Sequence, residues 1–152
     1  GTSYTGEVQA VKRLAPDFEI FQFGRDCKYA DKMRSGEAVC DGCGQCFVTL
    51  GKPEPRDIRY AREAYDLAAR TLGESQADLV ILDEISNALH YQLLDLEDAA
   101  SLIGRRPPGV ELVLTGRNMP AAILDMADLV TEMRMVKHPF ESGIAARHGI
   151  EY

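Results

Sequence analysis

The 152-residue chain is long enough for one core, since a domain of this size buries about 68–70% of the surface its unfolded chain exposes. Hydrophobic residues at 45% and charged residues at 27% match a soluble globular protein and give no sign of disorder, a fibre or a membrane span. With 24 acidic against 17 basic residues, the net charge of −7 argues against nucleic acid or an anionic membrane as a partner.

Residues 1–6 read as a turn-rich entry, and 7–14 as a short helix carrying Val8, Val11 and Leu14 at three-residue spacing. The first ten residues contain no basic start followed by an apolar stretch, so no secretory signal is expected and the cytoplasm is the expected location. Residues 18–23 alternate as a strand does, with Phe18 and Ile20 on one face and Phe21 and Phe23 on the other. Periodicity then stops: 24–55 holds all four cysteines, several glycines and many charges, and reads as an irregular insertion. Order returns at 56–72, where Ile58, Ala61, Tyr65, Ala68 and Leu72 form one helical stripe ended by Gly73.

The wholly apolar run 79–82 suits a strand buried on both faces of a parallel sheet. Asp95 is placed to cap a helix over 96–103, with Gly104, Pro107 and Pro108 as its stop. A strand over 110–114 follows, then a helix capped by Asn118 with Pro120 in its first turn, then a strand over 129–136 and an irregular tail. This alternation predicts an α/β sheet with short loops at the carboxyl ends of its strands, and one domain apart from the insertion.

Two strand tips carry chemistry. Leu79-Val80-Ile81-Leu82-Asp83-Glu84 has the form of a Walker-B element, in which a carboxylate at the sheet edge holds Mg²⁺ beside nucleotide phosphates, although solvated acids also end many ordinary buried strands. Thr115-Gly116-Arg117-Asn118 leaves the next strand with a hydroxyl, backbone N–H groups and a guanidinium suited to an anion. A helix cap with a surface arginine explains the same tetrapeptide.

These residues resemble the P-loop corrinoid adenosyltransferases. The likeness rests on 1–7, ending Thr5-Gly6-Glu7; on 79–84; on 115–117 with Ile123-Leu124-Asp125 and Ala127-Asp128; and on Val136-Lys137-His138 through Gly149-Ile150-Glu151-Tyr152. It covers nearly the whole chain except the cysteine insertion, and the pieces are specific jointly. The resemblance implies a P-loop NTPase (RecA-like) α/β fold, usually dimeric, that binds MgATP and a corrinoid and transfers adenosine to cobalt in its Co(I) state with triphosphate as leaving group. By position, Asp83 and Glu84 would serve Mg²⁺ and catalysis, and Thr115, Gly116 and Arg117 the nucleotide. Glu7 would serve the nucleoside or corrinoid side, and Lys137, His138 and Phe140 match the C-terminal signature.

The sequence departs from the family at two places. The Gly-rich Walker-A loop is missing, since Gly51-Lys52-Pro53 lacks both the earlier glycine and the hydroxyl. A truncated copy of a longer protein, lacking its first strand and P-loop, is the favoured expectation, with a genuine short homologue of little adenosyltransferase activity as the alternative; without that loop the phosphates have no cradle. Around 24–27 the family often carries aromatic residues, including Trp, that help remove the lower cobalt ligand. No Trp occurs in this chain, and Phe47 or Tyr29 are the substitutes at hand.

The insertion instead holds Cys40-x-x-Cys43-x-x-Cys46 with Cys27 upstream. Four soft thiolates at this spacing suit an iron–sulfur cluster or zinc, with unliganded thiols as the third reading. If the centre is iron–sulfur, it would sit beside the expected corrinoid pocket and pass an electron to Co(II), making Co(I); an electron-donor protein is a further expected partner. Set against the adenosyltransferase are a non-catalytic metal-binding or redox-sensing module on the same scaffold and a generic P-loop ATPase fragment.

Overall fold

The computed structural model describes residues 6–38, 42–74 and 77–144. The entry over 1–5, Cys40 and the signature residues 149–152 lie outside them. Among the described residues the helices are α1 (Gly6–Val11), α2 (Ala30–Arg34), α3 (Pro55–Gly73), α4 (Ile85–His90), α5 (Leu96–Gly104) and α6 (Ala121–Leu124). The strands are β1 (Leu79–Leu82) and β2 (Glu111–Leu114), and a 3-10 turn spans Pro139–Ser142.

The chain divides into two compact units that do not follow the limits of the insertion. One consists of Gly1–Gln22, Asp26–Cys43 and Leu129–Tyr152; the other of Phe23–Arg25 and Gly44–Asp128. The second unit is an α/β body with a small parallel two-stranded sheet flanked by helices, compatible with a P-loop-like fold. β1 and β2 pair in parallel with Leu79 opposite Glu111 and Leu82 opposite Leu114. The crossover between them contains α4 and α5, as a parallel pair requires.

α3 begins where Pro55 needs no N–H partner and where the Glu54 N–H donates to Asp57 Oδ2 at 2.8 Å. Its stripe delivers Ala68 and Leu72 to a core with Leu102 of α5 and Val110, against which Val80, Leu82 and Leu112 pack. α5 starts in the same way, with the Asp95 N–H donating to Asp98 Oδ2 at 3.1 Å. Arg62 of α3 grips Asp98 through two hydrogen bonds of 2.9 and 3.1 Å, tying the two helices together. A second cluster of Ile85, Ala99 and Ile123 lies under the carboxyl ends of the strands, and Leu82 packs against both clusters.

Several expectations are corrected. β1 is covered on one face only: Leu79 is 48% and Ile81 47% exposed, while Val80 and Leu82 face the helices. No strand forms over 18–23 or 129–136 among the described residues, because a strand exists only where a partner takes up its ladder. Phe21, Leu129 and Met133 stand exposed in those runs. The insertion is not wholly irregular, since it contains α2 and an isolated antiparallel bridge between Thr49 and Lys52.

α1 ends at Val11, short of Leu14. Asn118 does not cap α6: it holds a left-handed backbone (φ 54°), and the helix starts at Ala121 behind Pro120. Met119 precedes a proline, and such residues are pushed out of the helical region. Helix α4, directly after Glu84, answers to no periodicity in the sequence.

Candidate functional site

β1 and β2 are neighbours in register, so the residues that follow them emerge side by side. The Thr115 N–H still donates to the Leu82 carbonyl at 3.2 Å, which carries the pairing one residue past the strand ends. The chain at Asp83 then turns sharply. Glu84 adopts a left-handed backbone (φ 53°, ψ 31°) as the residue before α4, a conformation that costs a non-glycine residue about 1–3 kcal/mol and persists only where its surroundings impose it.

Thr115 is part of what imposes it. Its hydroxyl accepts the Glu84 backbone N–H at 2.9 Å and donates to Asp83 Oδ1 at 2.6 Å, filling both roles open to a hydroxyl. One side chain just past the end of β2 thereby locks the backbone of one acid and the carboxylate of the other. The Glu84 carboxylate is held in turn by Asn87, whose Nδ2 donates to Oε2 at 2.7 Å from the first turn of α4. Asp83 Oδ2 and Glu84 Oε1 carry no hydrogen bond among the described residues, and both residues are exposed.

Gly116 comes next, with φ 144°. A Cβ there would meet the Ser86 hydroxyl at 1.9 Å and the Ser86 Cβ at 2.7 Å, so only glycine fits over the start of α4. Ser86 is 2% exposed, and its hydroxyl has no hydrogen-bond partner among the described residues. Arg117 projects from the same loop and is exposed.

The structure thus brings Asp83, Glu84, Thr115, Gly116 and Arg117 together at the carboxyl ends of adjacent parallel strands. The donors offered are carboxylate and hydroxyl oxygens, the hard set that Mg²⁺ accepts, with an arginine nearby for an anion. Glu7, Lys137, His138 and Phe140 lie in the other compact unit, where each is exposed. There His138 Nδ1 accepts the Phe140 N–H at 3.1 Å and starts the 3-10 turn.

Cys27 is half-buried and Cys43 exposed in that unit; Cys46 is half-buried in the sheet-containing unit. Cys40 is outside the described residues, and among those described no group of three or more His, Cys, Asp or Glu side chains gathers as a metal site. Phe47 and Tyr29 are both exposed. Asn87 and Ser86 were not singled out by their sequence context. For Asn87 a signal existed, since it stands three residues after Glu84, the spacing at which a residue before a helix meets the end of its first turn.

Paired carboxylates at one strand tip, bonded to a hydroxyl at the next with a glycine beside it, form a polar cluster at the carboxyl edge of a parallel sheet, the edge at which open α/β sheets bind their ligands. The family model of the ATP:corrinoid adenosyltransferases BtuR/CobO/CobP matches residues 1–152, and the chain belongs to that family. It is 36% identical over 110 residues to a corrinoid adenosyltransferase of Sinorhizobium sp, covering 72% of this chain and 51% of the relative. It is 38% identical over 109 residues to one of Pseudomonas aeruginosa, covering 72% of this chain and 54% of the relative. With the Escherichia coli K12 corrinoid adenosyltransferase it shares 38% over 96 residues, 63% of this chain and 49% of that one. The chain spans about half the length of the curated relatives it matches.

Proposed function

We propose that the chain belongs to an enzyme that transfers the 5′-deoxyadenosyl group of ATP to Co(I) of a corrinoid in cobalamin biosynthesis or salvage. The observation that carries this reading is the bonded set Asp83–Thr115–Glu84 at two adjacent strand tips in a chain of this family. In the transfer the cobalt electron pair attacks C5′ of the ribose, a Co–C bond forms, and the C5′–O bond breaks to release triphosphate. A Mg²⁺ held by Asp83 and Glu84 would neutralise charge on the phosphates.

The chain's own residues prepare this step. Thr115 holds the Asp83 carboxylate at the strand tips and fixes the backbone turn at Glu84, so that neither group would need to reorganise when the phosphates arrive. Gly116 lets the loop lie close over Ser86 at the start of α4, and Arg117 supplies a cation for the triphosphate. We assign Glu7, Lys137, His138 and Phe140 to the nucleoside and corrinoid on their place in the family pattern. The RecA-like sheet, the homodimer, the cytoplasmic location and an electron-donor protein that supplies Co(I) belong to the same reading.

Sequence spacing alone supports Cys40, Cys43 and Cys46, with Cys27, as thiolate ligands of an iron–sulfur cluster or zinc. Iron, sulfide and zinc analysis after anaerobic purification distinguishes the two, and absence of all three removes the assignment.

Adenosylation by the full-length protein, supplied with ATP and chemically reduced corrinoid and followed by absorbance of the Co–C bond, tests the function. Glu84→Gln is expected to lower kcat by about 100-fold or more while thermal stability holds, because an exposed strand-tip residue contributes little packing. Unchanged turnover removes Glu84 from the site, and no Co–C bond with the wild-type protein refutes the function.

A further inference from the structure

Glu84 is exposed, yet it is held twice: its backbone N–H by the Thr115 hydroxyl and its carboxylate by Asn87. A solvated glutamate ordinarily moves among several rotamers. The 2.7 Å bond from Asn87 Nδ2 to Oε2 is charge-assisted and selects one of them. The orientation of the Asn87 amide follows from chemistry, because an ionised carboxylate only accepts and the amide N–H₂ must therefore face it. Among the described residues Oε1 is left open, as is Oδ2 of Asp83.

We propose that Asn87 is a positioning residue of this site, holding the Glu84 carboxylate where Oε1 and the neighbouring Asp83 carboxylate bind a divalent cation. The inference rests on the reading that these two acids hold the cation. Asn87 itself touches neither cation nor substrate: it neutralises part of the charge on Oε2 and removes the cost of ordering Glu84 at the moment of binding. Its place is set by the fold. With Glu84 as the residue before α4, a side chain in the third helical position lies over that residue, and the Asn87 N–H donates to the Glu84 carbonyl at 2.8 Å.

Mn²⁺, whose free aqueous signal is read directly by electron paramagnetic resonance, is the probe, titrated into the chain as it stands. The wild-type chain is expected to bind Mn²⁺ and Glu84→Gln to lose most of that affinity. Asn87→Ala is expected to bind about threefold to tenfold more weakly, the value of one solvent-exposed hydrogen bond. Alanine is a better helix former than asparagine, so the thermal midpoint of this variant should not fall. Asn87→Gln, which keeps an amide donor, should recover part of the affinity.

Equal affinity of Asn87→Ala and wild type, with Glu84→Gln impaired, overturns the role of Asn87 and leaves the cation reading intact. Loss of affinity together with a lower thermal midpoint makes Asn87 a structural residue and overturns it too. Absence of Mn²⁺ binding by the wild-type chain, or unimpaired binding by Glu84→Gln, removes the cation reading and the positioning role with it.

Discussion

Gly116 shows how much of the site depends on the size of one side chain. Its φ of 144° is a conformation that side chains rarely adopt, and a Cβ would strike the Ser86 hydroxyl and Cβ at 1.9 and 2.7 Å. Gly116→Ala is therefore expected to destabilise the protein by about 1–3 kcal/mol in urea unfolding. Ser86→Ala removes a buried hydroxyl without a partner among the described residues, so its stability should hold or rise. A neutral Gly116→Ala would mean that the loop over α4 yields freely. The carboxylates were legible in the sequence because an apolar run that ends in acids announces a strand tip, and Thr115 for the same reason at the next strand. Ser86 and Asn87 were not, because what each does depends on a backbone turn at Glu84 that no local pattern encodes.

Among elements, those with strong local signals are legible in the sequence, the strands over 79–82 and 110–114 as short apolar runs and two of the helices by their stripes and ends. α3 appeared with nearly its observed bounds because its apolar stripe and Pro55 are local signals, and α5 because Asp95 and Gly104 mark its ends. The runs 18–23 and 129–136 have strand-like alternation but no ladder in the structure, since pairing is decided by distant residues. α4 is not legible in the sequence because six residues are too few to establish a helical period. The start of α3 also bears a long-range tie: Arg25 donates to Asp57 Oδ1 and Oδ2 at 2.7 and 2.6 Å and to Glu54 Oε1 at 2.8 Å. Asp57 is 3% exposed, and the hydrogen bond from Arg25, with that from the Glu54 N–H, holds its carboxyl below the ordinary value of 3.8. A depressed folded pKa stabilises the protein above the unfolded pKa and loses that effect as pH falls through the folded one. Arg25→Met should therefore cost most stability near pH 7, and its deficit against wild type in urea unfolding should shrink below about pH 4. A deficit independent of pH would assign the loss to packing of the Arg25 side chain instead.

At the scale of the whole molecule, the sheet-containing unit is finished on one side only. Successive strand residues point to opposite faces, and in this sheet Val80, Leu82, Leu112 and Leu114 lie against the clusters built by α3, α5 and α6. Leu79, Ile81 and Val113 form the other face, with Ile81 directly opposite Val113, and they are 48%, 47% and 41% exposed. Three adjacent branched side chains make a continuous apolar surface, which a solution of this chain must present to water or to whatever binds it. The chain is therefore expected to raise the fluorescence of a hydrophobic dye in its native state, and the double variant Ile81→Thr with Val113→Thr should lower that signal. Threonine keeps the branched shape that strands favour. Because these side chains already leave nearly half their surface in water, the exchange should cost less than about 1 kcal/mol apiece. A drop in dye binding at nearly constant thermal midpoint is the expected result. An unchanged dye signal would show that this face is covered in solution, and a midpoint lowered by several degrees would show that Ile81 and Val113 pack as core residues.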